Sequence, residues 1–229
     1  MSDTLSTGTE PGARTGPRYG IFGGTFDPPH IGHLVLAQET LVHLNLERVW
    51  FVPTGTPPHK PDRPISPQDD RRAMVERAIA GNERFALSAI ELARGGPSYS
   101  VDTLDQMRRE WGVDVYMCLI MGWDMLAYLP HWREPERVLA TVDCVAAVRR
   151  PGVSSAPDEM ERLARALPGL SAKLTVVPAP LMEVSASDIR RRVASDVPIR
   201  YLVPDPVRSY IERRGLYRAP APNATGGPT

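Results

Sequence analysis

Residues 19–41 read YGIFGGTFDPPHIGHLVLAQETL, and the order of residue types in this stretch decides the fold. An apolar run ends at Phe22, and Gly23 and Gly24 follow at once. Helical spacing then begins near Ile31, with Leu34, Ala37, Leu41 and Leu44 recurring on one face. Glycine lets a backbone bend sharply and lets a ligand come close to it. A helix starting just beyond presents free N–H groups and the positive end of its dipole, which together favour an anion. His30 and His33 stand three apart on the expected first turn, so both imidazoles point toward the same bound anion. Gly32, between them, is expected to remove a side chain where a nucleotide would lie.

Outward from this stretch, strands and helices alternate. Strands are expected over 18–22, 48–53, 84–92, 113–122, 143–150 and 173–179. Helices are expected over 31–46, 66–82, 98–112, 185–196 and 204–217, with another near 158–167. The 66–82 helix opens with Ser66 as a cap and Pro67 at its first position, and a Gly-Asn pair closes it. The run at 113–122 is apolar throughout, as a strand covered on both faces should be. The four prolines of TGTPPHKPDRPIS, residues 54–66, forbid regular structure there. Such alternation implies an α/β fold, a doubly wound parallel sheet in one domain over 18–217 with short C-terminal helices. In such sheets ligands bind beyond the carboxyl ends of the strands, at the switch in strand order. The polar, Gly/Pro-rich ends, 1–17 and 218–229, are expected to be disordered tails.

Composition narrows the function. The 229 residues carry 27 acidic and 27 basic side chains, so the chain lacks the broad basic field of a general nucleic-acid binder. Only Lys60 and Lys173 are lysines; the remaining basic residues are arginines. Cys118 and Cys144 both sit in apolar strand-like runs and are expected to be buried thiols. No apolar run approaches a membrane span, and the N-terminus has no apolar leader region, so a cytoplasmic location is expected. The Asn-Ala-Thr at 223–225 carries no meaning in that compartment.

A His-x-x-His pair also suits zinc, but no nearby cysteine or acidic cluster completes such a site, and no metal ligand is assigned. The longer string GGTFDPPHIGHL is similar to the signature of the HxGH nucleotidyltransferases, a Rossmann-like superfamily. Class I aminoacyl-tRNA synthetases share the tetrapeptide HIGH. They also need a lysine-rich second motif and a tRNA-binding domain, which two lysines in 229 residues do not supply. Within the superfamily the string resembles the bacterial nicotinate mononucleotide adenylyltransferases.

That resemblance implies roles, position by position. His30 and His33 would stabilise the reacting phosphoryl centre, while Gly23, Gly24, Thr25, Phe26 and Gly32 shape the nucleotide bed. In PTGTPPHK, residues 53–60, Lys60 would be a mobile phosphate-binding cation. In GGPSYSVDTL, residues 95–104, Tyr99 and Ser100 would lie beside the pyridine ring, with the Ser100 N–H toward its carboxylate. Ser98 or Ser100 is also expected to cap the helix. The strand at 113–122 ends in Gly122, and Asp124, two residues later, would hold the adenosine ribose. Trp132 would stack on the pyridine. Trp123 stands where the family more often has a small residue, which bears on the pocket wall. VSASDIRRR, residues 184–192, resembles the family's second signature, with Ala186 in place of a serine. There Ser185, Ser187, Ile189 and Arg190 would meet ATP, Arg190 gripping the departing pyrophosphate. Arg150 matches an Arg-Pro-Gly at the substrate edge.

The implied activity is adenylyl transfer from ATP to nicotinate mononucleotide, with Mg²⁺ arriving on the ATP phosphates. The rivals are an adenylyltransferase for nicotinamide mononucleotide or phosphopantetheine, and a nucleotide-sensing protein that has lost turnover. No nucleic acid or membrane partner is implied. The oligomeric state is left open, a homodimer included.

Overall fold

The computed structural model describes residues 14–57, 65–148, 157–180 and 182–218. Six parallel strands form one sheet: β1 (Arg18–Gly24), β2 (Arg48–Pro53), β3 (Phe85–Leu87), β4 (Tyr116–Gly122), β5 (Cys144–Val148) and β6 (Leu174–Val177). Their spatial order is β3-β2-β1-β4-β5-β6, a doubly wound arrangement. Between β1 and β4 the chain changes direction across the sheet, and that switch opens a crevice at their carboxyl ends. Gly24 pairs with Pro53 in register there, and Gly122 pairs with Val148.

Strand β4 shows why the sheet is covered on both faces. Met117 to Met121 are all buried. Met117, Leu119 and Met121 join one apolar cluster, while Cys118 and Ile120 join another. The period-two alternation of a strand sends neighbours to opposite faces, so an unbroken apolar run belongs at the centre. Each such side chain, fully buried, contributes about 1.5–3 kcal/mol. Helices α3 (Ser100–Trp111) and α5 (Pro135–Thr141) cover the first face, through Leu104, Met107 and Val138. Helices α1 (Ile31–His43) and α2 (Gln68–Ile79) cover the second, through Ala37, Leu41 and Val75. A third cluster binds α2 to α8 (Ala186–Ala194) and α9 (Asp205–Arg214), through Met74, Ile189 and Val207. Among the described residues the remaining α-helices are α4 (Trp123–Tyr128), α6 (Pro157–Ala166) and α7 (Leu170–Lys173), and one 3₁₀ turn spans Leu129–His131. No helix among the described residues is long and apolar enough to cross a membrane.

Several elements depart from the sequence expectation. The helix expected to run to 46 stops at His43, in a Schellman motif. Asn45 takes the left-handed position (φ 47°), Asn45 N–H donates to Val42 O (3.2 Å), and Leu46 N–H donates to Leu41 O (2.9 Å). The strand expected over 84–92 pairs only at Phe85–Leu87, because the chain then turns and carries Glu91 inward. Ser66 does not cap α2; Pro67 holds that position, and the Ser66 N–H instead donates to Asp27 Oδ2 at 3.3 Å. Neither Ser98 nor Ser100 caps α3, whose N-cap is Tyr99. The short helices α4, α5 and α7 had no counterpart in the sequence reading.

Both cysteines are free and buried, in register on β4 and β5, as expected. Lys173 serves the fold: its ammonium donates to Leu139 O at 2.6 Å and Val142 O at 2.7 Å, carbonyls at the end of α5. Of the expected tails, 1–13 and 219–229 lie outside the described residues. Residues 14–17 lie against the sheet: Gly16 N–H donates to Asp114 O at 3.0 Å, and Arg14 pairs with Asp143 at 2.8 Å.

Candidate active site

At the switch point lies an open cleft of about 760 Å³. Its wall collects residues from distant parts of the chain: Gly23, Gly24, Thr25, Phe26, His30, His33, Tyr99, Ser100, Gly122, Asp124, Trp132, Ser185, Ser187 and Arg190. All fourteen were singled out in the sequence. Lys60 and Arg150 lie outside the described residues.

Gly23 leads into the cleft floor. A Cβ there would meet nothing within 4 Å, so the backbone stands open to a ligand. Gly24 is small for a different reason: its Cβ would stand 3.1 Å from the Phe26 ring. Phe26 is buried, with φ 49°, and packs edge-on against Phe22 and His33.

The histidines differ from the expected pair on one helix turn. His30 is the N-cap, in extended backbone, and His33 is the third helical residue. Their rings stack face to face, with centroids 3.6 Å apart and planes 24° apart. The His30 N–H donates to His33 Nδ1 at 3.1 Å. With Nδ1 accepting, the neutral His33 ring carries its proton on Nε2 and can donate it to an oxygen. His30 is only 4 % exposed.

Two assignments need correction. Gly32 does not line the cleft. Its Cβ would stand 3.1 Å from His30 Nδ1, so the bare position makes room for the imidazole, and Gly32 lines an adjoining pocket of about 50 Å³ with His30, His33 and Met182. Ile189 is fully buried in the cluster that joins α2, α8 and α9, and it too is absent from the wall. The amides of α1 are also less free than its position suggested. Ile31 N–H donates to Leu202 O (3.0 Å) and His33 N–H to His30 O (2.9 Å).

Helices α1, α3 and α8 nevertheless all begin at the cleft, through His33, Ser100 and Ser187. Three positive dipole ends favour one polyanion. Ser185 caps α8, its hydroxyl accepting from the Asp188 N–H at 3.1 Å, which leaves its own proton to donate. Arg190, one turn on, donates to the Asp27 carbonyl and, at 3.2 Å, to Ser187 Oγ. The rigid element beneath therefore holds the guanidinium at the cleft wall.

On the opposite side, Asp124 sits in the first turn of α4. A Cβ on Gly122 would stand 2.6 Å from its Oδ1, so glycine there makes room for the carboxylate. Trp132 is half-buried, packed against the core and open to the cleft. Trp123 is not part of the wall; it is buried in the core, with its indole N–H toward Glu159 at 3.4 Å. The departure noted in the sequence is therefore absorbed by packing.

Sequence reading missed several residues at the site. Arg133 lies over the Tyr99 ring, 4.6 Å from its centroid, at the mouth of the cleft. Glu91, Ser98 and Thr103 form a buried polar floor, with Thr103 Oγ1 donating to Glu91 Oε1 at 2.8 Å. Burial pushes the Glu91 carboxyl up, against the downward pull of that hydrogen bond and of Arg94. Asp27 is buried and accepts from the Tyr217 hydroxyl at 2.6 Å. Burial and the adjacent Asp27 carboxylate push the Tyr217 phenol well above its usual range, so it stays a donor. The signal available was positional: Asp27 lies inside the quoted stretch, and Glu91 and Thr103 flank PSYS. Their partners become visible only in three dimensions.

Comparison with known proteins bears on the family and the fold. A family described as cytidylyltransferase-like matches residues 21–192. A Thermomicrobium roseum protein described as a probable nicotinate-nucleotide adenylyltransferase is 45% identical over 201 residues, covering 88% of this chain and 92% of its own. A Roseiflexus sp. protein of the same description is 44% identical over 199 residues, covering 87% and 97%. Among solved structures, Plasmodium falciparum nicotinic acid mononucleotide adenylyltransferase complexed with NaAD superposes with a TM-score of 0.70 at 18% identity. That match covers 88% of this chain and 98% of the other. The same enzyme complexed with APC gives 0.69 at 17%, again covering 88% and 98%.

Proposed function

The chain belongs to the cytidylyltransferase-like family and, within it, to the nicotinate-nucleotide adenylyltransferases, and from that premise we propose that it transfers the adenylyl group of ATP to nicotinate mononucleotide. The products are nicotinate adenine dinucleotide and pyrophosphate, a step of NAD biosynthesis for which we infer a cytoplasmic setting. A 5′-phosphate oxygen of the mononucleotide attacks the α-phosphorus of ATP in line. The bond from that phosphorus to the β-bridging oxygen breaks, and pyrophosphate leaves. A phosphate monoester is already a nucleophile at neutral pH, so no general base is needed. Orientation and charge stabilisation carry the rate.

The chain's own groups divide that work. His33, with its proton on Nε2, donates to an α-phosphoryl oxygen, and His30 stacked behind it holds the ring in place. Arg190 and the α8 N-terminus take the β- and γ-phosphates, and Lys60 joins them from its loop. Gly23, Gly24 and Thr25 form the bed for the nucleotide. Asp124 accepts from the adenosine ribose, while Trp132 and Tyr99 border the pyridine with Ser100 at its carboxylate; for Arg150 the resemblance implies a role in structure or at the substrate edge. Mg²⁺ would arrive with the triphosphate, held by its oxygens and by water, and would supply positive charge against the departing pyrophosphate. Among the described residues no group of three or more His, Cys, Asp or Glu offers a separate cage for it.

One observation carries the reading: paired imidazoles, a held guanidinium, the Asp124 carboxylate and a half-buried indole share one cleft wall with three helix N-termini. The test is pyrophosphate release from ATP with nicotinate mononucleotide, nicotinamide mononucleotide and phosphopantetheine offered in turn. The acid mononucleotide is expected to be turned over fastest. His33→Ala is expected to lower kcat by about 10²–10³, the scale of one oxyanion donor. Preference for another acceptor, or near-normal turnover by that variant, would overturn the assignment.

A further inference from the structure

Arg71 is the buried cation that this chemistry does not use. It stands on α2, is 1 % exposed, and does not line the cleft. Its guanidinium donates only to main-chain carbonyls, on three separate segments. Nη1 reaches Thr25 O at 3.0 Å, Nη2 reaches Gly55 O at 3.0 Å, and Nε reaches Ser66 O at 3.1 Å. Each carbonyl belongs to a residue of the cleft wall or to one next to it in sequence. Thr25 is itself part of that wall, Gly55 is flanked by Thr54 and Pro57, and Ser66 follows Ile65.

The second segment is also closely packed against the 91–98 region. A Cβ on Gly55 would stand 2.4 Å from Glu91 O and 2.7 Å from Ser98 Oγ. A further bond, Thr54 N–H to Gly24 O at 2.9 Å, ties it to the first segment. Burial lowers the Arg71 pKa, while the nearby Asp27 and Glu91 carboxylates raise it. Burying a charge with only carbonyls touching it is costly, and an apolar side chain of similar volume often stabilises a fold more. Space-filling alone therefore does not account for an arginine here.

We propose that Arg71 is a positioning residue: its forked guanidinium sets the spacing between the loop after β1 and the loop after β2, and so holds the cleft at the width its nucleotide takes. The forked shape matters, because one rigid plane fixes three carbonyls at once, which a lysine ammonium on a flexible stem does not. This rests on the cleft being the nucleotide site.

The test uses the full chain with Arg71→Lys and Arg71→Met. For each variant, thermal unfolding, ATP binding without acceptor, kcat and KM for both substrates, and amide hydrogen exchange over residues 23–27 and 54–57 are measured. Folded variants are expected to lose about 10- to 100-fold in kcat, as misplaced reactive groups do, and to bind ATP more weakly. Exchange in the two loops should rise together, and Arg71→Lys should recover part of each effect. Lower melting temperature with kcat, both KM values and loop exchange within twofold of the parent would overturn the proposal. So would failure of both variants to fold, which would make the group a support of the fold and not of the site. A parent chain that binds ATP but releases no pyrophosphate with any acceptor would sink the functional reading, while the loop-exchange result would stand by itself.

Discussion

A methyl group on Gly32 would stand 3.1 Å from His30 Nδ1, tight enough to move the ring from its stack on His33. Gly32→Ala is therefore expected to lower kcat roughly tenfold while leaving KM for both substrates within about twofold, the pattern of a displaced transition-state group. Steady-state kinetics decides it. A raised KM for ATP with kcat intact would mean that the methyl meets the nucleotide, as the linear sequence suggests. At this scale the histidine pair was legible because its spacing is local and a helix maps three-residue spacing to proximity. The role of Gly32 was not, because it depends on which way the His30 ring turns. Ile189 fails for a similar reason. It sits between Asp188 and Arg190 in a stretch that the family resemblance assigns to ATP, yet a helix sends adjacent side chains about 100° apart, and this one enters the core.

Helix α8 joins two jobs at one terminus. The Ser185 hydroxyl accepts from the Asp188 N–H, and Asp188 in turn pairs with Arg191 and, at 3.0 Å, with Arg192. Ser185→Ala removes the cap at a cost of about 1 kcal/mol, which for a chain of this size lowers Tm by about 2–4 °C. The proposed function also makes this hydroxyl a donor to the triphosphate, so KM for ATP should rise in the same variant. Calorimetry and kinetics on one preparation check both; a fall in Tm with ATP KM unchanged would leave Ser185 a cap alone. At the scale of elements the long ones were legible, because four turns of helix or a run of apolar residues average out local exceptions. The short ones were not. Helices α4, α5 and α7 have 6, 7 and 4 residues, too few to show a period. Strand β3, with three residues, pairs with β2 alone and stops where the chain turns inward.

Asp143 shows how the sheet is held as a whole. Its Oδ1 accepts from Arg14 Nε at 2.8 Å, and its Oδ2 from Arg108 Nη2 at 2.8 Å and the Met117 N–H at 2.9 Å. It thus joins the segment before β1, helix α3 and strand β4. Burial alone would push its carboxyl up, but these donors outweigh it and hold the carboxyl below the usual range. A depressed folded pKa means stabilisation that is present above the unfolded carboxylate value, about 3.9, and is lost as pH falls through the folded value. The urea midpoint of the parent should therefore exceed that of Asp143→Asn at pH 7, and the gap should close below about pH 4. An equal gap at pH 3 and pH 7 would contradict the ion-pair account. By itself, the sequence determined the sheet, its switch point, and fourteen of the residues on the cleft wall, fewer than half of them. Alternation period, glycine bends and motif spacing are local properties, and the doubly wound topology leaves a strand–bend–helix unit one place to put its ligand. Only the tertiary structure decided which histidine nitrogen carries the proton, why Gly32 is bare, and that Arg71 reaches Thr25, Gly55 and Ser66. Those depend on contacts between segments far apart in the chain. Side-chain direction at such contacts follows from packing the whole core at once, which no window of sequence contains.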